Sequence, residues 1–403
     1  MIRRLSDYRE VVDEAKISEI YRKGNKIADN HILHINSTYY GGGVAEILMH
    51  MMPLLDDIGI DVGWRSLVGS PDFFRVTKKF HNALQGEEIT LTDMKKRVYE
   101  QTNLSFAKFT HIDHDLVIIH DPQPLPLSKF YKRKQPWIWR CHIDLSEPQG
   151  EIWEYLRGFI LPYNLVVYQM DEFAAQGVSG DYTIMRPSID PLSVKNKDLP
   201  DGTIEKYTQK AGIDRERPLI TQVSRFDKWK DPQGVIKVFD LIREEIDCQL
   251  LLVGAMATDD PEGQQVYEEV HSLIKDRNDI IVRIGAHDIM VNAIQKSSDV
   301  VLQKSIREGF GLSATEALWK KTPVVASNVG GLPAQVKDGE TGFLVEPDDY
   351  EGAAKKVMDL LTDEDLREEM GENAKQHVKE NFLITRHVED WIDLWTKLLA
   401  PGA

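Results

Sequence analysis

Short apolar runs alternate with longer amphipathic segments in the first half of the chain. Helical patterns fill the intervals between predicted strands at 31–36, 61–68, 116–120, 137–142, 165–169 and 182–186. A charged helix is expected at 6–25, and a second helix from about Val44 to Asp57 directly follows the first strand. Strands that alternate with helix-length segments are typical of β-α-β units and a mostly parallel sheet.

The pattern changes at 186–200, where RPSIDPLSVKNKDLP is rich in Pro, Ser and Asp and has no apolar period. We interpret this segment as the connection between two domains. More regularly spaced strands follow, at 218–224, 248–254, 279–285, 299–303 and 323–327. This half therefore predicts a second doubly wound α/β domain. Helices are expected to close the chain, at 349–362, 364–380 and 385–399.

Composition and charge narrow the class of partners. Hydrophobic residues make up 42% of the chain and charged residues 28%, which is typical of a soluble globular protein. A formal net charge of −16 argues against non-specific binding of nucleic acid or anionic membranes. The charged N-terminus does not read as a signal peptide, and Cys141 and Cys248 cannot form a disulfide framework. We therefore expect a cytoplasmic protein without membrane partners.

A glycine-rich loop, Gly41-Gly42-Gly43, separates the first strand from its helix. Glycine allows close approach of a ligand, and the first N–H groups of a helix attract an anion. The loop matches neither G-x-G-x-x-G nor a Walker A sequence. A phosphate site and a plain tight turn both remain open for it.

Two further segments follow strands of the second half. Arg225 and Lys230 in SRFDKWKD could clamp a diphosphate, although a solvated loop that also contains Lys228 is the favoured interpretation of this segment taken alone. Glu308 and Glu316 in EGFGLSATE flank a helix start, where free N–H groups suit a phosphate and a carboxylate can accept from sugar hydroxyls. The alternative for the glutamates is a helix cap and a surface side chain.

His142 and Asp144 follow the strand at 137–142 and are expected at its ligand-binding end. His111, His114 and His120 surround the strand at 116–120 without metal-ligand spacing. Asp113 and Asp115 form a D-x-D sequence, the residues of which precede this strand and so should lie at the opposite edge of the sheet. No bound metal is therefore predicted.

The segments SRFDKWKD, EGFGLSATEA and PVVASNVGGLPAQVKDGETGFLV together resemble the C-terminal half of retaining glycosyltransferases of the GT-B type, family 4. Glu308 and Glu316 match the E-x7-E motif of that family. The resemblance implies two Rossmann-like domains, with the active site in the cleft between them. It also implies that the last helix crosses back, so that residues 1–200 with 383–403 form an acceptor domain and 201–382 a donor domain.

Residue roles follow from the same resemblance. It implies catalytic roles for His142, Arg225, Lys230 and Glu308. It implies contacts with the sugar-nucleotide donor for Gly42, Gly43, Arg225, Lys230, Glu308, Gly309, Phe310, Gly311, Leu312 and Glu316. The acceptor sugar is expected near Tyr39, Tyr40, Asp121 and Asp144. The chain departs from the family at Ala334-Gln335, where a glutamate is common, and at Trp319-Lys320-Lys321, where small residues are usual.

The expected reaction also comes from the resemblance. HINSTYYGGGVAEIL, WRCHIDLSEP and QVSRFDKWKD are similar to trehalose-forming members, which predicts transfer of glucose from UDP- or ADP-glucose to glucose. The alternatives are a family 4 transferase with a sucrose-type, glyceryl or sugar-phosphate product, and a catalytically silent sugar-nucleotide-binding protein. A sugar-nucleotide epimerase would need a G-x-x-G-x-x-G start and a placed Tyr-x-x-x-Lys pair. No cofactor is expected. Mg²⁺ is expected at most to stimulate the reaction, without a binding site of its own. The expected assembly is a homodimer.

Overall fold

The computed structural model describes residues 3–39, 42–174, 181–254 and 261–400. The chain divides into two compact units. The first unit consists of Met1–Ser188 and Ile384–Ala403, and the second of Ile189–Leu383. No helix in the described ranges is long and apolar enough to cross a membrane.

A parallel sheet forms the centre of the first unit. Its described strands are β1 (His31–Asn36), β2 (Asp61–Ser66), β3 (Leu116–His120), β4 (Trp137–Arg140), β5 (Leu165–Tyr168) and β6 (Tyr182–Ile184). They lie in the order β2-β1-β3-β4-β5-β6. Because helices cover both faces of a parallel sheet, the central strands are buried along nearly their whole length and consist mainly of apolar residues. The sequence therefore predicted these strands to within a few residues.

The helices of this unit flank the sheet. They are α1 (Glu14–Gly24), α2 (Gly43–Ile58), α3 (Pro71–Leu84), α4 (Asp93–Phe109), α5 (Leu127–Phe130) and α6 (Gly150–Ile160). The single helix predicted at 6–25 is wrong, because a 3-10 helix at Leu5–Glu10 precedes α1. Asp57 at the end of α2 accepts from the Leu5 N–H at 3.0 Å and the Tyr21 hydroxyl at 2.5 Å. These bonds hold the 3-10 helix and α1 on α2 as separate pieces.

The second unit repeats the architecture with another parallel sheet. Its described strands are β7 (Leu219–Val223), β8 (Gln249–Gly254), β9 (Ile280–Ile284), β10 (Val300–Gln303), β11 (Val324–Ser327) and β12 (Gly342–Val345). Their order is β12-β11-β10-β7-β8-β9. β12 is missing from the predicted strands; it begins with Gly342, and glycine is depleted in strands.

Helices cover this second sheet as well. They are α7 (Asp201–Ala211), α8 (Pro232–Arg243), α9 (Pro261–Leu273), α10 (Asp288–Ser297), α11 (Leu312–Trp319), α12 (Leu332–Gln335), α13 (Tyr350–Thr362) and α14 (Glu364–Asn381). A 3-10 helix, Lys228–Lys230, follows β7.

The polar segment at 189–200 belongs to the second unit, so the predicted boundary at residue 200 lies too far along the chain. The Asn196 carbonyl accepts from the Trp319 indole N–H at 3.1 Å, and its side chain accepts from Lys320 Nζ at 2.9 Å. Asn292 of α10 donates to the Lys197 carbonyl at 2.8 Å. Hydrogen bonds of the backbone and of polar side chains help to attach this segment, and its few apolar residues show no period, which explains why the sequence pattern predicted a linker.

The final helix, α15 (Ile384–Leu399), belongs to the first unit, where it packs on α1 and α2. Trp391 and Trp395 are fully buried. Glu389 accepts from Lys23 of α1 at 2.7 Å and pairs with Lys16 at 2.6 Å. The crossing segment was predicted to begin at residue 383, and the helix begins at Ile384.

Candidate active site

The loop after β7 carries the two predicted diphosphate ligands, and they differ in environment. Arg225 is about half exposed, with Asp227 3.7 Å from its guanidinium. Lys230 lies at the end of the 3-10 helix, and the Gln222 side chain fixes its carbonyl at 2.8 Å. Its ammonium is mostly buried and donates to Glu308 Oε2 at 2.5 Å. The solvated-loop interpretation therefore fails for Lys230, whereas Arg225 remains accessible to an anion.

Glu308 is buried in a cluster of hydrogen-bond donors. Gln303 Nε2 donates to Glu308 Oε2 at 3.1 Å, and the Ser305 hydroxyl donates to the same oxygen at 3.2 Å. Lys230 is the third donor. This arrangement orients the carboxylate and occupies the lone pairs of Oε2, so an interpretation as a surface cap does not fit.

Two glycines allow the backbone to pack around Glu308. Gly330 has a φ of +55°, and a Cβ there would lie 1.8 Å from the Glu308 carbonyl oxygen. Gly311 has a φ of +87° and faces the Glu308 side chain, with 3.2 Å from an added Cβ to Cγ. Any side chain at either position would push the segment 308–311 away.

Gln335, one of the departures from the family sequence, supports the same loop. It is fully buried on α12 and donates to the carbonyls of Phe310 and Gly331, the latter at 3.1 Å. Its own carbonyl accepts from the Thr315 hydroxyl at 2.5 Å. Phe310 is itself buried against Phe382, with ring centroids 5.7 Å apart. Gln335 and Phe310 therefore stabilise the conformation of the loop that contains residues 308–311.

The start of α11 and Glu316 complete the predicted donor site in this unit. Gly311 is the N-cap residue and provides no side chain to cap the helix, so the N–H groups of Leu312 and Ser313 stay available to an anion, whereas that of Ala314 donates to the Gly311 carbonyl at 2.9 Å. Glu316 lies further along α11 and is buried, with Lys195 Nζ 3.4 Å from its Oε1. Lys195 comes from the segment at 186–200, which was predicted to connect the two domains.

The first unit brings its own predicted residues to the carboxyl ends of β1, β3 and β4. Asp121 follows β3 with a φ of +62°, unusual for a residue other than glycine, and its Oδ1 accepts from the His142 backbone N–H at 2.8 Å. Burial raises the pKa of the Asp121 carboxyl to about 7, although the His142 N–H and the Arg140 guanidinium act in the opposite direction. Asp121 therefore titrates near neutral pH.

His142 belongs to a chain of three stacked imidazoles. His34 Nδ1 lies 2.9 Å from His120 Nε2, and His120 Nδ1 lies 3.1 Å from His142 Nε2. Burial lowers the pKa of all three side chains, that of His34 to about 3, because the charged form is poorly solvated there. These histidines are consequently neutral at physiological pH.

The remaining predicted positions of the first unit are the expected acceptor residues and the glycine-rich loop. Tyr39 is partly exposed and accepts from the Ser66 N–H at 3.1 Å. Asp144 accepts from the Ser146 N–H at 2.9 Å. Gly42, with a φ of +84°, caps α2 without a side-chain bond, ahead of Gly43. Tyr40 and Gly41 lie outside the described residues.

The D-x-D sequence lies at the opposite edge of the first sheet from His142. Asp115 precedes β3 and accepts from the His31 N–H at 2.8 Å, while Asp113 lies 3.6 Å from His114 Nδ1. Among the residues that the structure describes, no group of three or more His, Cys, Asp or Glu side chains could hold a metal ion. These aspartates thus contribute to loop structure before β3.

Two doubly wound units with these polar clusters define the class of the protein, and comparisons with known proteins agree. Residues 203–377 match the family described as glycosyl transferases group 1. Residues 34–175 match the family described as trehalose synthase, N-terminal domain. The fold is that of GT-B glycosyltransferases. Sucrose-phosphate synthase from Thermosynechococcus elongatus superposes with a TM-score of 0.71 at 16% identity, over 92% of this chain and 99% of that one. A UDP-forming α,α-trehalose-phosphate synthase from Burkholderia xenovorans gives a TM-score of 0.73 at 15% identity, over 92% and 98%.

Sequence relatives narrow the class further. The trehalose synthase of Thermococcus litoralis is 48% identical over 97% of this chain and 96% of its own length. The trehalose synthase of Rubrobacter xylanophilus is 43% identical over 98% and 97%. A trehalose phosphorylase from Pleurotus pulmonarius is 29% identical over 97% of this chain and 60% of its own length. The chain therefore belongs to the trehalose synthase family of glycosyltransferases.

Sequence reasoning missed several residues that the structure places beside the predicted ones. Lys195 was assigned to a linker, and Gln303 at the end of β10 and Ser305 just after it belong to no motif. His120 was noted only as one of the histidines around its strand, and His34 was not singled out. A signal for the last two did exist, because each lies in the carboxyl-terminal half of a strand, and β1, β3 and β4 are neighbours in the sheet.

Proposed function

We propose that this enzyme transfers glucose from a nucleoside-diphosphate glucose to free glucose with retention of configuration, forming the α,α-1,1 linkage of trehalose. The observation that carries the proposal is the Lys230–Glu308 contact at 2.5 Å beside the uncapped start of α11. It supplies a preorganised cation and free N–H groups for a leaving diphosphate. The trehalose synthases that resemble the chain over nearly its full length support the choice of sugars.

The chemistry needs stabilisation of the charge that develops on the leaving diphosphate. Arg225, Lys230 and the first N–H groups of α11 offer fixed positive charge and dipoles, which require no reorganisation during the reaction. Glu308 holds Lys230 in place and positions its own Oε1 for a sugar hydroxyl. Glu316, further along α11, is assigned to the ribose.

A front-face path suits these residues better than a double displacement. Three donors on Oε2 of Glu308 stabilise the negative charge of its carboxylate and so weaken it as a nucleophile. Asp144, the other candidate, accepts from the Ser146 N–H in a local turn. The leaving phosphate therefore takes part in removing the proton of the acceptor hydroxyl.

The reaction is proposed to proceed without a bound metal, because cationic side chains supply the charge that Mg²⁺ or Mn²⁺ supplies in D-x-D transferases. Transfer measured with excess chelator should retain most of its rate. Loss of activity that returns only with Mg²⁺ or Mn²⁺ would show that the diphosphate ligands are misassigned.

A grid of donors and acceptors tests the proposed function. UDP-, ADP- and GDP-glucose are combined with glucose, fructose, glycerate and glucose 6-phosphate, and NMR reads the linkage of each product. We expect glucose to be the preferred acceptor and α,α-trehalose the product. A phosphorylated acceptor that outcompetes glucose, or donor binding without any turnover, would select one of the alternative functions. A reaction of trehalose with phosphate that yields glucose 1-phosphate would instead point to phosphorolysis.

A further inference from the structure

His34, His120 and His142, which lie near the carboxyl ends of β1, β3 and β4, form a hydrogen-bonded series with one open end and one buried end. His142, the half-buried end, uses Nε2 for His120, and no described residue bonds to its Nδ1. His34, the buried end, lies edge-on to the rings of Trp391 and Trp395, with centroids 5.7 and 5.8 Å away. The series therefore connects His142 to the final helix through the core.

Proton counting allows only two arrangements of this series. Each neutral imidazole carries one N–H, and each contact within the series needs one donor and one acceptor. In the first arrangement His142 Nε2–H donates to His120, His120 donates to His34, and His34 keeps a proton on Nε2. In the second, the donors point the other way, and His142 keeps its proton on Nδ1. The state of His34 thus determines which group His142 offers.

The buried end favours the second arrangement. Within the described part of the chain, His34 Nε2 and the Trp395 indole N–H are both buried without a hydrogen-bond partner. An indole N–H can only donate. The rings of His34 and Trp395 are neighbours, with centroids 5.8 Å apart, so a proton on His34 Nε2 would place two buried donors without an acceptor side by side, whereas an unprotonated Nε2 supplies an acceptor beside the indole.

Trp391 does not compete for this role. Its indole N–H donates to His387 Nε2 at 3.1 Å, and His387 Nδ1 in turn lies 3.0 Å from the Arg186 carbonyl. Trp391 and Trp395 are stacked neighbours, 5.5 Å apart between centroids. The two tryptophans therefore differ in hydrogen bonding while they share the same packing environment.

Burial and the positive charge of Arg140 keep the three imidazoles neutral. Burial lowers the pKa of His120 and His142, and the Arg140 guanidinium nearby lowers both further. Arg140 is itself fixed, because it donates to the Tyr168 carbonyl at 2.7 Å and to the Met185 carbonyl at 2.5 Å. The ring nitrogens thus differ in proton position rather than in charge.

We propose that His34, His120 and Trp395 act as positioning residues that hold His142 in the tautomer with the proton on Nδ1. His142 then offers a neutral hydrogen-bond donor to an oxygen of the bound sugar. The hydrogen bond at one ring nitrogen sets the tautomer at the other. The structural part of this proposal stands by itself, and its kinetic part rests on the proposed function.

Histidine-selective ¹⁵N labelling of the full-length protein tests the tautomer directly. Long-range ¹H–¹⁵N spectra distinguish protonated from unprotonated ring nitrogens, and His142→Gln assigns the signal. We expect protonated Nδ1 and unprotonated Nε2 for His142 in the unaltered protein. Trp395→Phe removes the donor and should populate the opposite tautomer, whereas Trp391→Phe, with the same loss of volume, should not. Protonation at Nε2 in the unaltered protein, or equal effects of the two variants, would overturn the proposal.

Kinetics tests the consequence for transfer. His120→Phe breaks the series and should lower kcat about tenfold, the effect of one misdirected hydrogen bond. His120→Gln can accept from one neighbour and donate to the other, so it should recover part of the rate. If His120→Phe shifts the tautomer without lowering kcat, the positioning role is wrong while the hydrogen-bonded series is right. If no sugar transfer is found at all, the proposed function fails and the tautomer measurement still decides the structural claim.

Discussion

The two units share an architecture but provide opposite kinds of polar group at their candidate sites. The second unit offers charges: Arg225, the Lys230–Glu308 pair and Glu316 beside Lys195. The first offers neutral histidines and a carboxyl whose pKa is raised to about 7. Under the proposed function, this difference suits a sugar nucleotide, because its diphosphate carries the charge and its glucose carries neutral hydroxyls. Two units of the same architecture therefore need not carry the same kind of polar group.

Lys230→Ala should give the largest effect, because it removes a charge from the unit that is proposed to bind the leaving diphosphate. Loss of one preorganised donor at a developing charge costs about 10²–10³ in kcat. Saturating donor should not restore the rate, because the cation interacts more strongly in the transition state than with the bound substrate. Steady-state kinetics over a wide range of donor concentration measures this.

Lys228→Ala is the matched control, since Lys228 is exposed in the same 3-10 helix and stacks on the Trp229 ring at 5.0 Å. It should remain near the unaltered rate. Full recovery of kcat for Lys230→Ala at high donor would mean that Lys230 only binds substrate.

Lys195→Met should have a smaller effect of a different kind. It removes the cation 3.4 Å from Glu316, which is assigned to the ribose rather than to the reacting centre. Donor KM should rise by about tenfold, the value of one charge-assisted hydrogen bond, while kcat stays nearly constant. Lys197→Met in the same segment provides the control. A fall in kcat with unchanged KM would contradict the division between binding and leaving-group residues.

The Asp121→Asn variant tests the first unit by the pH dependence of its free energy of unfolding. The pKa of Asp121 is raised from 3.8 to about 7, so folding holds the proton more tightly than the unfolded chain does. Its ionisation therefore destabilises the fold progressively between pH 4 and 7 and fully above that. Asparagine tolerates the positive φ, so the variant should gain roughly 1–3 kcal/mol at pH 8 and nothing at pH 3. Urea unfolding at both values measures the gain.

The same variant has a kinetic signature. An ionised Asp121 near the acceptor should make kcat/KM rise as pH increases through about 7, and Asp121→Asn should remove that inflection. An unchanged profile would exclude Asp121 from the acceptor site. The effect is expected to be smaller than that of Lys230→Ala, because a hydrogen bond and not a leaving-group charge is at stake.

The sequence predicted the sheets well and the contacts poorly. The strands at 31–36 and 116–120 are short runs that are rich in Ile, Leu and Val, so their positions could be predicted without tertiary structure. The motif residues Lys230 and Glu308 were found separately, but 78 positions separate them and only the neighbouring strands β7 and β10 bring them together. The histidine series arises in the same way from β1, β3 and β4. Spacing along a chain carries no information about such pairs, because strand order in the sheet differs from strand order in the sequence.

The central claim is retaining transfer of glucose to glucose, and isotope tracing tests it most directly. The enzyme is given UDP- or ADP-glucose labelled with ¹³C at C1, together with unlabelled glucose, and the reaction is followed by NMR. We expect the label to appear at one anomeric carbon of α,α-trehalose, with α configuration at both linked carbons. Label that appears in free glucose, in a β-linked product or at a linkage other than 1,1 would contradict it.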